Sequence, residues 1–135
     1  MEELVESYVK RAEAELKAAR IHYDSWKYPA CIASAQTSVE LMLKALLKKF
    51  TGDFPKKHDV SDALAKAVEK LPEDLRKSAP RLCFISRVLS AWREPSIYGE
   101  ELRQAPPESL FGKREAELAI SYAEEVRIIC IRYLP

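Results

Sequence analysis

The chain has 135 residues, 47% of them hydrophobic and 32% charged, and its formal net charge is +1. A chain of this length is expected to fold as one domain, residues 1–135. Its composition is that of a globular protein and not of an intrinsically disordered one. The charge balance gives no overall attraction to polyanions or membranes. Three glycines are too few to indicate a Gly-rich phosphate loop or a turn-rich all-β fold.

The N-terminal stretch, MEELVESYVKRAEAEL, is amphipathic and acidic from its second residue. This pattern fits neither a signal peptide nor a membrane span, so we expect a cytoplasmic protein that does not contact a membrane. Cys31, Cys83 and Cys130 lie among apolar residues, and the sequence has no CxxC motif. Their placement favours buried free thiols over a disulfide or a reactive thiol, and we expect neither a metal nor a cofactor.

The first predicted helix covers residues 2–26. Its apolar residues recur at steps of three and four, which place them on one face of a helix: Leu4, Val5, Tyr8, Ala12, Leu16, Ala19, Tyr23 and Trp26. A short connection at residues 27–29 leads to the next helix. Because a short connection between two long helices brings them together in antiparallel orientation, these two should form a hairpin.

The second predicted helix, Pro29–Phe50, carries the most continuous apolar face, and we expect the other helices to pack on it. Pro29 lies in the first turn, where a helix tolerates proline. Gly52 follows the last apolar residue, where glycine commonly ends a helix. The apolar face comprises Ile32, Ala35, Val39, Met42, Leu43, Leu46, Leu47 and Phe50.

The middle of the chain has a less regular pattern. Residues 51–60 are predicted to be a loop and residues 61–71 a short third helix. Residues 73–92 are predicted to be a fourth helix, with a kink at Pro80. Residues 93–112 contain three prolines and two glycines, so we expect a long irregular segment there, of the kind that is often functional.

The last predicted helix runs from Lys113 to Tyr133. The expected fold class is therefore all-α, an up-and-down bundle of four long helices plus one short connecting helix. Three isoleucines of the last helix lie around much of its circumference: Ile128, Ile129 and Ile131. They supply more apolar surface than one core face needs, which indicates a buried contact with a second subunit.

Several stretches stand out together. They are Tyr28-Pro29-Ala30 leading into AQTSVELMLKALL at residues 35–47, then Gly52, the isolated His58, REPSIYG at residues 93–99, and AELAISYAEEV at residues 116–126. In this order, over nearly the whole chain, they resemble the HEPN domain family, and AxxSVExxxKALL is the most specific part. The resemblance implies a bundle of four to five helices that pairs as a homodimer. In many members it also implies a toxin–antitoxin pair with a minimal nucleotidyltransferase.

Other members of the family are metal-independent ribonucleases, and the resemblance implies where their catalytic residues lie. They carry an Arg and, four to six residues later, a His at the end of the penultimate long helix. Here the Arg is Arg93, but after four residues comes Tyr98. Such cleavage needs a base and an acid, and histidine suits both, whereas tyrosine, with an ordinary pKa of about 10, is a poor base at neutral pH. Arg93 is thus expected to hold a phosphate by a two-pronged hydrogen bond more readily than to cleave RNA.

The candidate phosphate- or nucleotide-binding residues are Arg93, Tyr98, Lys44 and Glu40, with Arg93 and Tyr98 the candidates for catalysis. Each has a structural alternative. Arg93 could stabilise a helix end, Tyr98 could pack on the bundle, and Glu40 and Lys44 could be a surface pair four residues apart. His58 is expected to be a loop or cap residue.

Two functions stay open on this basis. The first is a binding module for a nucleotide or RNA that acts as a homodimer with a minimal nucleotidyltransferase. The second is a ribonuclease toxin that uses Arg93 with Tyr98 in place of the usual histidine. The Arg-x4-Tyr spacing favours the first, and with it the absence of enzyme activity. The lysines around the end of the second helix could simply be solvated, but their clustering favours a basic rim for a polyanion: Lys44, Lys48, Lys49, Lys56 and Lys57.

Overall fold

Helix α2 (Tyr28–Thr51) is the centre of the fold, and the other three long helices all pack against it. The computed structural model describes residues 2–135. The remaining long helices are α1 (Glu2–Asp24), α5 (Ala79–Tyr98) and α7 (Lys113–Cys130). Shorter pieces connect them: α3 (Ser61–Lys66), α4 (Glu73–Arg76), α6 (Pro107–Leu110) and the 3₁₀ turns Val68–Lys70 and Ile131–Tyr133. The predicted bundle of four long helices is confirmed, with three short α-helices where one was expected.

The α1–α2 hairpin is the most extensive helix contact in the protein. The chain reverses at residues 25–27, and Lys27 N–H donates to the carbonyl of His22 at 2.8 Å. Trp26, which the apolar pattern placed on the packed face, is instead 81% exposed, with φ of 61°. Its helix has already ended at Asp24, so the helical spacing no longer determines where the indole points. Leu4, at the other end of the stripe, is 40% exposed.

Helix α2 is buried on more than the one face that its apolar stripe predicts, because α1, α5 and α7 surround it. Polar side chains are buried with it, among them Gln36, Ser38 and Lys44. Gly52 ends the helix in the left-handed conformation, with φ of 85°, as predicted. By length and composition the helix could cross a membrane, yet 72% of its most apolar 18-residue stretch is buried inside the bundle.

Helix α5 corrects two expectations about the middle of the chain. Pro80 lies in its first turn rather than at an internal kink, because the fourth predicted helix is two elements, α4 and α5. At the other end the helix continues through Pro95 to Tyr98, into the segment predicted to be irregular. Pro95 is near enough to the C-terminus for one further turn, which Gly99 N–H closes on the Pro95 carbonyl at 2.9 Å.

The rest of the 93–112 segment is also ordered. Two backbone hydrogen bonds pair Glu100 with Ala105, at 2.8 and 2.9 Å, and close a compact turn. Gly99 opens this turn with φ of 75°. Helix α6 follows directly, and Phe111 packs its ring on Trp92 of α5, with ring centroids 5.8 Å apart. The segment therefore holds the end of α5 in place against the bundle.

Candidate functional site

The α2–α5 contact fixes Arg93 in one orientation. Its Nη1 donates hydrogen bonds to Oε1 of Gln36 at 2.6 Å and to Oγ1 of Thr37 at 2.8 Å. Both acceptors lie on α2 and are uncharged. In the part of the chain that the structure describes, no carboxylate forms a salt bridge with Arg93, and its Nε and Nη2 make no hydrogen bond. One edge of the guanidinium is thus held in place, and the other edge is open.

Glu40 lies one helical turn from Gln36 and binds three donors. Gln36 Nε2 and His58 Nδ1 both donate to its Oε1, at 3.0 and 2.7 Å. Lys44 Nζ donates to Oε2 at 2.9 Å. The Glu40 side chain is only 13% exposed. Its burial raises the pKa of the carboxyl, but the hydrogen bonds from Gln36, Lys44 and His58 outweigh this, and the pKa of Glu40 is lowered.

These contacts join into one continuous set of side chains, which we call the polar track: Arg93, Gln36, Glu40, Lys44 and His58. Gln36, Glu40 and Lys44 occur at intervals of four residues on α2, which places them along one face of the helix. Successive members are about 6 Å apart along the axis. Arg93 contacts the N-terminal end of the track, and His58 contacts its middle.

The loop after α2 places His58 over Glu40. Next to it, Asp59 is fixed by Oδ1, which accepts from the backbone N–H of Ser61 and the hydroxyl of Ser86, both at 3.0 Å. Phe54, earlier in the loop, covers Lys44, whose Nζ lies 5.7 Å from the ring centroid. The loop therefore packs on the track at two points, and the His58 side chain, 59% exposed, lies at its surface.

The sequence prediction treated Glu40 and Lys44 as a surface pair or a site, and the structure shows a nearly buried pair linked to Arg93 through Gln36. His58 was expected to be a loop or cap residue. It does lie in the loop, but its ring contacts Glu40. Gln36 and Thr37 were missed as partners of Arg93. The four-residue spacing of Gln36, Glu40 and Lys44 was a usable signal for part of this track.

Tyr98 lies apart from the polar track. It is five positions after Arg93, which places the two side chains about 140° apart around α5. Tyr98 is 78% exposed and lines an open cleft with the acidic residues Glu94, Glu100 and Glu101. No hydrogen bond joins Tyr98 to Arg93 among the described residues. The structure thus brings together three of the four predicted site residues, and Tyr98 stands at a neighbouring cleft.

The predicted basic rim divides into two parts. Lys48 Nζ donates to the Gly52 carbonyl at 2.9 Å and Lys49 Nζ to the Tyr133 carbonyl, so both bind backbone oxygens. Lys56 and Lys57 are exposed in the loop that carries His58. Within residues 2–135 no group of three or more His, Cys, Asp or Glu side chains is placed to hold a metal ion.

Comparison with known proteins finds two kinds of similarity. The HEPN domain family model matches residues 5–132. TT1696 from Thermus thermophilus superposes with a TM-score of 0.77 at 23% identity, over 99% of this chain and 100% of that one. ST0689, an archaeal HEPN homologue, superposes with a TM-score of 0.66 at 23% identity, over 95% of this chain and 96% of that one. Among curated proteins there is no match.

Proposed function

Because this chain belongs to the HEPN domain family, we propose that it is a phosphate-recognising module that binds a nucleotide or RNA through Arg93. The observation that supports this proposal is the anchored guanidinium. Nη1 is held by Gln36 and Thr37, and the Nε–Nη2 edge has no protein partner in residues 2–135. That edge can donate two parallel hydrogen bonds to a phosphate. An anion would also neutralise a partly buried cation that forms no salt bridge within residues 2–135.

The other predicted residues have supporting parts in this proposal. Glu40 and Lys44 form an ion pair. Glu40 in turn accepts a hydrogen bond from Gln36, and this contact holds Gln36, and through it Arg93, in position. Tyr98 offers an exposed ring near the same end of α5, on which a base could stack. Lys56 and Lys57 add positive charge beside the track. Cleavage by Arg93 with Tyr98 lacks comparable support, since the two side chains face different directions on α5.

The assembly forms the second part of the proposal. We propose a cytoplasmic homodimer that works with a minimal nucleotidyltransferase of the toxin–antitoxin type, as the family resemblance implies. On this chain, support for the dimer comes from α7, where Ile128 is 64% exposed, as a large apolar side chain without cover. Support for the partner comes from the family alone. Copurification of the chain with a minimal nucleotidyltransferase from the same genome would test that part.

The binding proposal is tested by ligand-dependent thermal stabilisation, because a ligand that binds only the folded state raises the unfolding temperature. Inorganic phosphate, ATP and a short single-stranded RNA serve as probes. We expect stabilisation of the parent chain and its loss in Arg93→Ala. Arg93→Lys keeps the positive charge but removes the pair of parallel N–H donors, so this variant should bind the probes more weakly than the parent. The matched control is Arg87→Ala, which removes an exposed arginine from the same helix.

Two results would contradict the proposal. One is the absence of stabilisation by all three probes. The other is equal loss of stabilisation in Arg87→Ala and Arg93→Ala, which would mean that the probes sense the overall charge of the protein and not the Arg93 edge. Loss in Arg93→Ala with full retention in Arg87→Ala supports it.

A further inference from the structure

A cavity of about 450 Å³ lies at the end of the bundle where α1 begins and α2 ends. Most of its lining is apolar. Val5, near the start of α1, is 3% exposed, and Leu134 packs against the small apolar cluster to which Val5 belongs. Tyr133 and Pro135 complete the apolar lining. The volume is within the usual range of small-molecule sites, which are mostly apolar and carry a few fixed polar groups.

Two cationic side chains also line this cavity, and both contact uncharged groups. Lys49 Nζ donates to the Tyr133 carbonyl. The Arg132 guanidinium lies over the Tyr133 ring, 5.8 Å from its centroid. Neither cation forms a salt bridge within residues 2–135. Because an ammonium has three N–H donors and a guanidinium five, both cations can still donate to a ligand.

Glu2 is the carboxylate among the side chains of the lining. Among residues 2–135 it forms no salt bridge, so it does not pair directly with Lys49 or Arg132. Two cations and one carboxylate give the lining side chains an excess of one positive charge. This charge favours an anionic ligand. The apolar lining favours a ligand whose remainder is hydrocarbon, since a polar group buried there without a partner would be destabilising.

The cavity is separate from the polar track. None of its lining residues belongs to the track. Lys49 is 13 positions after Gln36 on α2, so about 20 Å along the helix axis separates the cavity from the residue that binds Arg93. A ligand bound in the cavity would therefore be distinct from the phosphate proposed to bind Arg93.

We propose that this cavity binds a small amphipathic carboxylate. Its hydrocarbon part packs against Val5 and Leu134, and its carboxylate lies at Lys49 and Arg132. Arg132 can donate two parallel hydrogen bonds to a carboxylate, and the ammonium of Lys49 adds a third. Removal of the hydrocarbon from water contributes in proportion to the apolar area buried. The lining comes from the start of α1, the end of α2 and the residues after α7, so the bound ligand stabilises their association.

The test measures the binding of octanoate by isothermal titration calorimetry, with uncharged octanamide and cationic octylamine as matched ligands. We expect saturable binding of octanoate, with octanamide binding about tenfold more weakly and octylamine more weakly still, because the charge-assisted hydrogen bonds are lost. Hexanoate should bind up to about 15-fold more weakly than octanoate, since each methylene removed from water is worth about fourfold. Shifts of the Val5 and Leu134 methyl resonances in NMR spectra locate the ligand.

Three variants test the charges of the cavity. Arg132→Gln removes an exposed charge and should weaken octanoate binding about tenfold, while octanamide binding stays unchanged. Glu2→Gln should strengthen octanoate binding, because it removes a carboxylate from the lining. The matched control is Arg114→Gln, which removes an exposed arginine at the other end of α7 and should bind octanoate like the parent.

Four results would overturn the inference. Octanoate could fail to bind at millimolar concentration, or bind with the same affinity as octanamide. The NMR shifts could be confined to residues away from Val5 and Leu134, or Arg132→Gln and Arg114→Gln could have equal effects on octanoate binding. Inorganic phosphate, which has the charge but no hydrocarbon, should not displace octanoate. Phosphate binding that depends on Arg93 would survive each of these results, so the two proposals fail independently.

Discussion

The carboxylate of Glu40 lies 2.7 Å from Nδ1 of His58, although the two residues are 18 positions apart in the chain. The contact joins the central helix to the loop that follows it. Through Gln36 the same carboxylate is linked to Arg93 on α5. The central helix and the loop therefore meet at one nearly buried anion, and α5 is linked to it through Gln36, so its loss should disturb all three segments.

Gln36 is the bridge between Arg93 and Glu40, and its removal should uncouple them. Gln36→Leu leaves Arg93 with Thr37 as its remaining acceptor and leaves Glu40 one donor short. We expect a loss of about 1–3 kcal/mol in the free energy of unfolding, typical of an unsatisfied buried group, together with weaker phosphate-dependent stabilisation. Urea denaturation and thermal unfolding with phosphate measure the two effects.

Ser38→Ala is the control for that experiment. Ser38 is buried on the same helix and donates to the Ala12 carbonyl at 2.7 Å, outside the polar track. The Ser38→Ala substitution should lower the free energy of unfolding by about 1 kcal/mol and leave phosphate binding unchanged. Equal loss of phosphate binding in both variants would contradict the bridging role of Gln36.

The stability of the fold should depend on the ionisation of Glu40. The pKa of this carboxyl is lowered from its ordinary value of 4.5, so the folded state binds the proton less readily than the unfolded state. The resulting stabilisation is complete above about pH 4.5 and is lost as the pH falls through the lower folded-state value. The stability difference between the parent and Glu40→Gln should therefore shrink with acidification below pH 4.5. Urea denaturation across that range measures it, and a difference that does not vary with pH would contradict the assignment.

The three cysteines should be unreactive in the folded protein. All are buried and free, and burial raises the pKa of Cys31 and of Cys130 to about 12. Because the thiolate is the reactive form, a disulfide reagent such as Ellman's should modify none of them until the chain unfolds. Unfolding in urea should expose all three thiols and make them reactive. Rapid modification of a thiol under native conditions would show that the core around it opens.

Two glycines with positive φ should respond differently to a methyl group. A Cβ on Gly99 would lie 2.1 Å from the backbone oxygen of Ala105, whereas a Cβ on Gly52 would meet nothing within 4 Å. Gly52→Ala should thus cost only the backbone strain, about 1 kcal/mol, and Gly99→Ala should cost more and open the turn at residues 99–106. Urea denaturation compares the stabilities, and limited proteolysis reports the turn. Equal costs would contradict the predicted clash.

Ile128 should decide the oligomeric state if α7 forms the proposed subunit contact. Ile128→Glu places a charge in that contact and should convert a dimer to a monomer in sedimentation equilibrium. Leu102→Glu is the control, because Leu102 is 97% exposed in the 99–106 turn and lies off α7. A parent chain that is monomeric at micromolar concentration, or a dimer that Ile128→Glu leaves intact, would contradict this contact.

The sequence determined the fold class and the family. Apolar residues at helical spacing identified four long helices, and Gly52 identified the end of the second, because periodicity and capping depend on residues close together in the chain. The same local rules failed where a tertiary contact prevails. The fourth predicted helix was expected to end at residue 92, but α5 continues through Pro95 to Tyr98. The rest of the segment predicted to be irregular forms an ordered turn and a short helix.

The candidate site shows the same division. Arg93, Glu40 and Lys44 could be singled out in the sequence, since a motif and a four-residue spacing mark them. Tyr98 shared the motif with Arg93, yet helical geometry separates the two side chains. Only the tertiary structure placed Arg93 beside Gln36 and Thr37, and His58 beside Glu40, because the packing of α5 on α2 and the folding of the loop over Glu40 join residues that no sequence interval connects. A buried carboxylate needs hydrogen-bond donors, and His58 is one of the donors that the fold brings to Glu40.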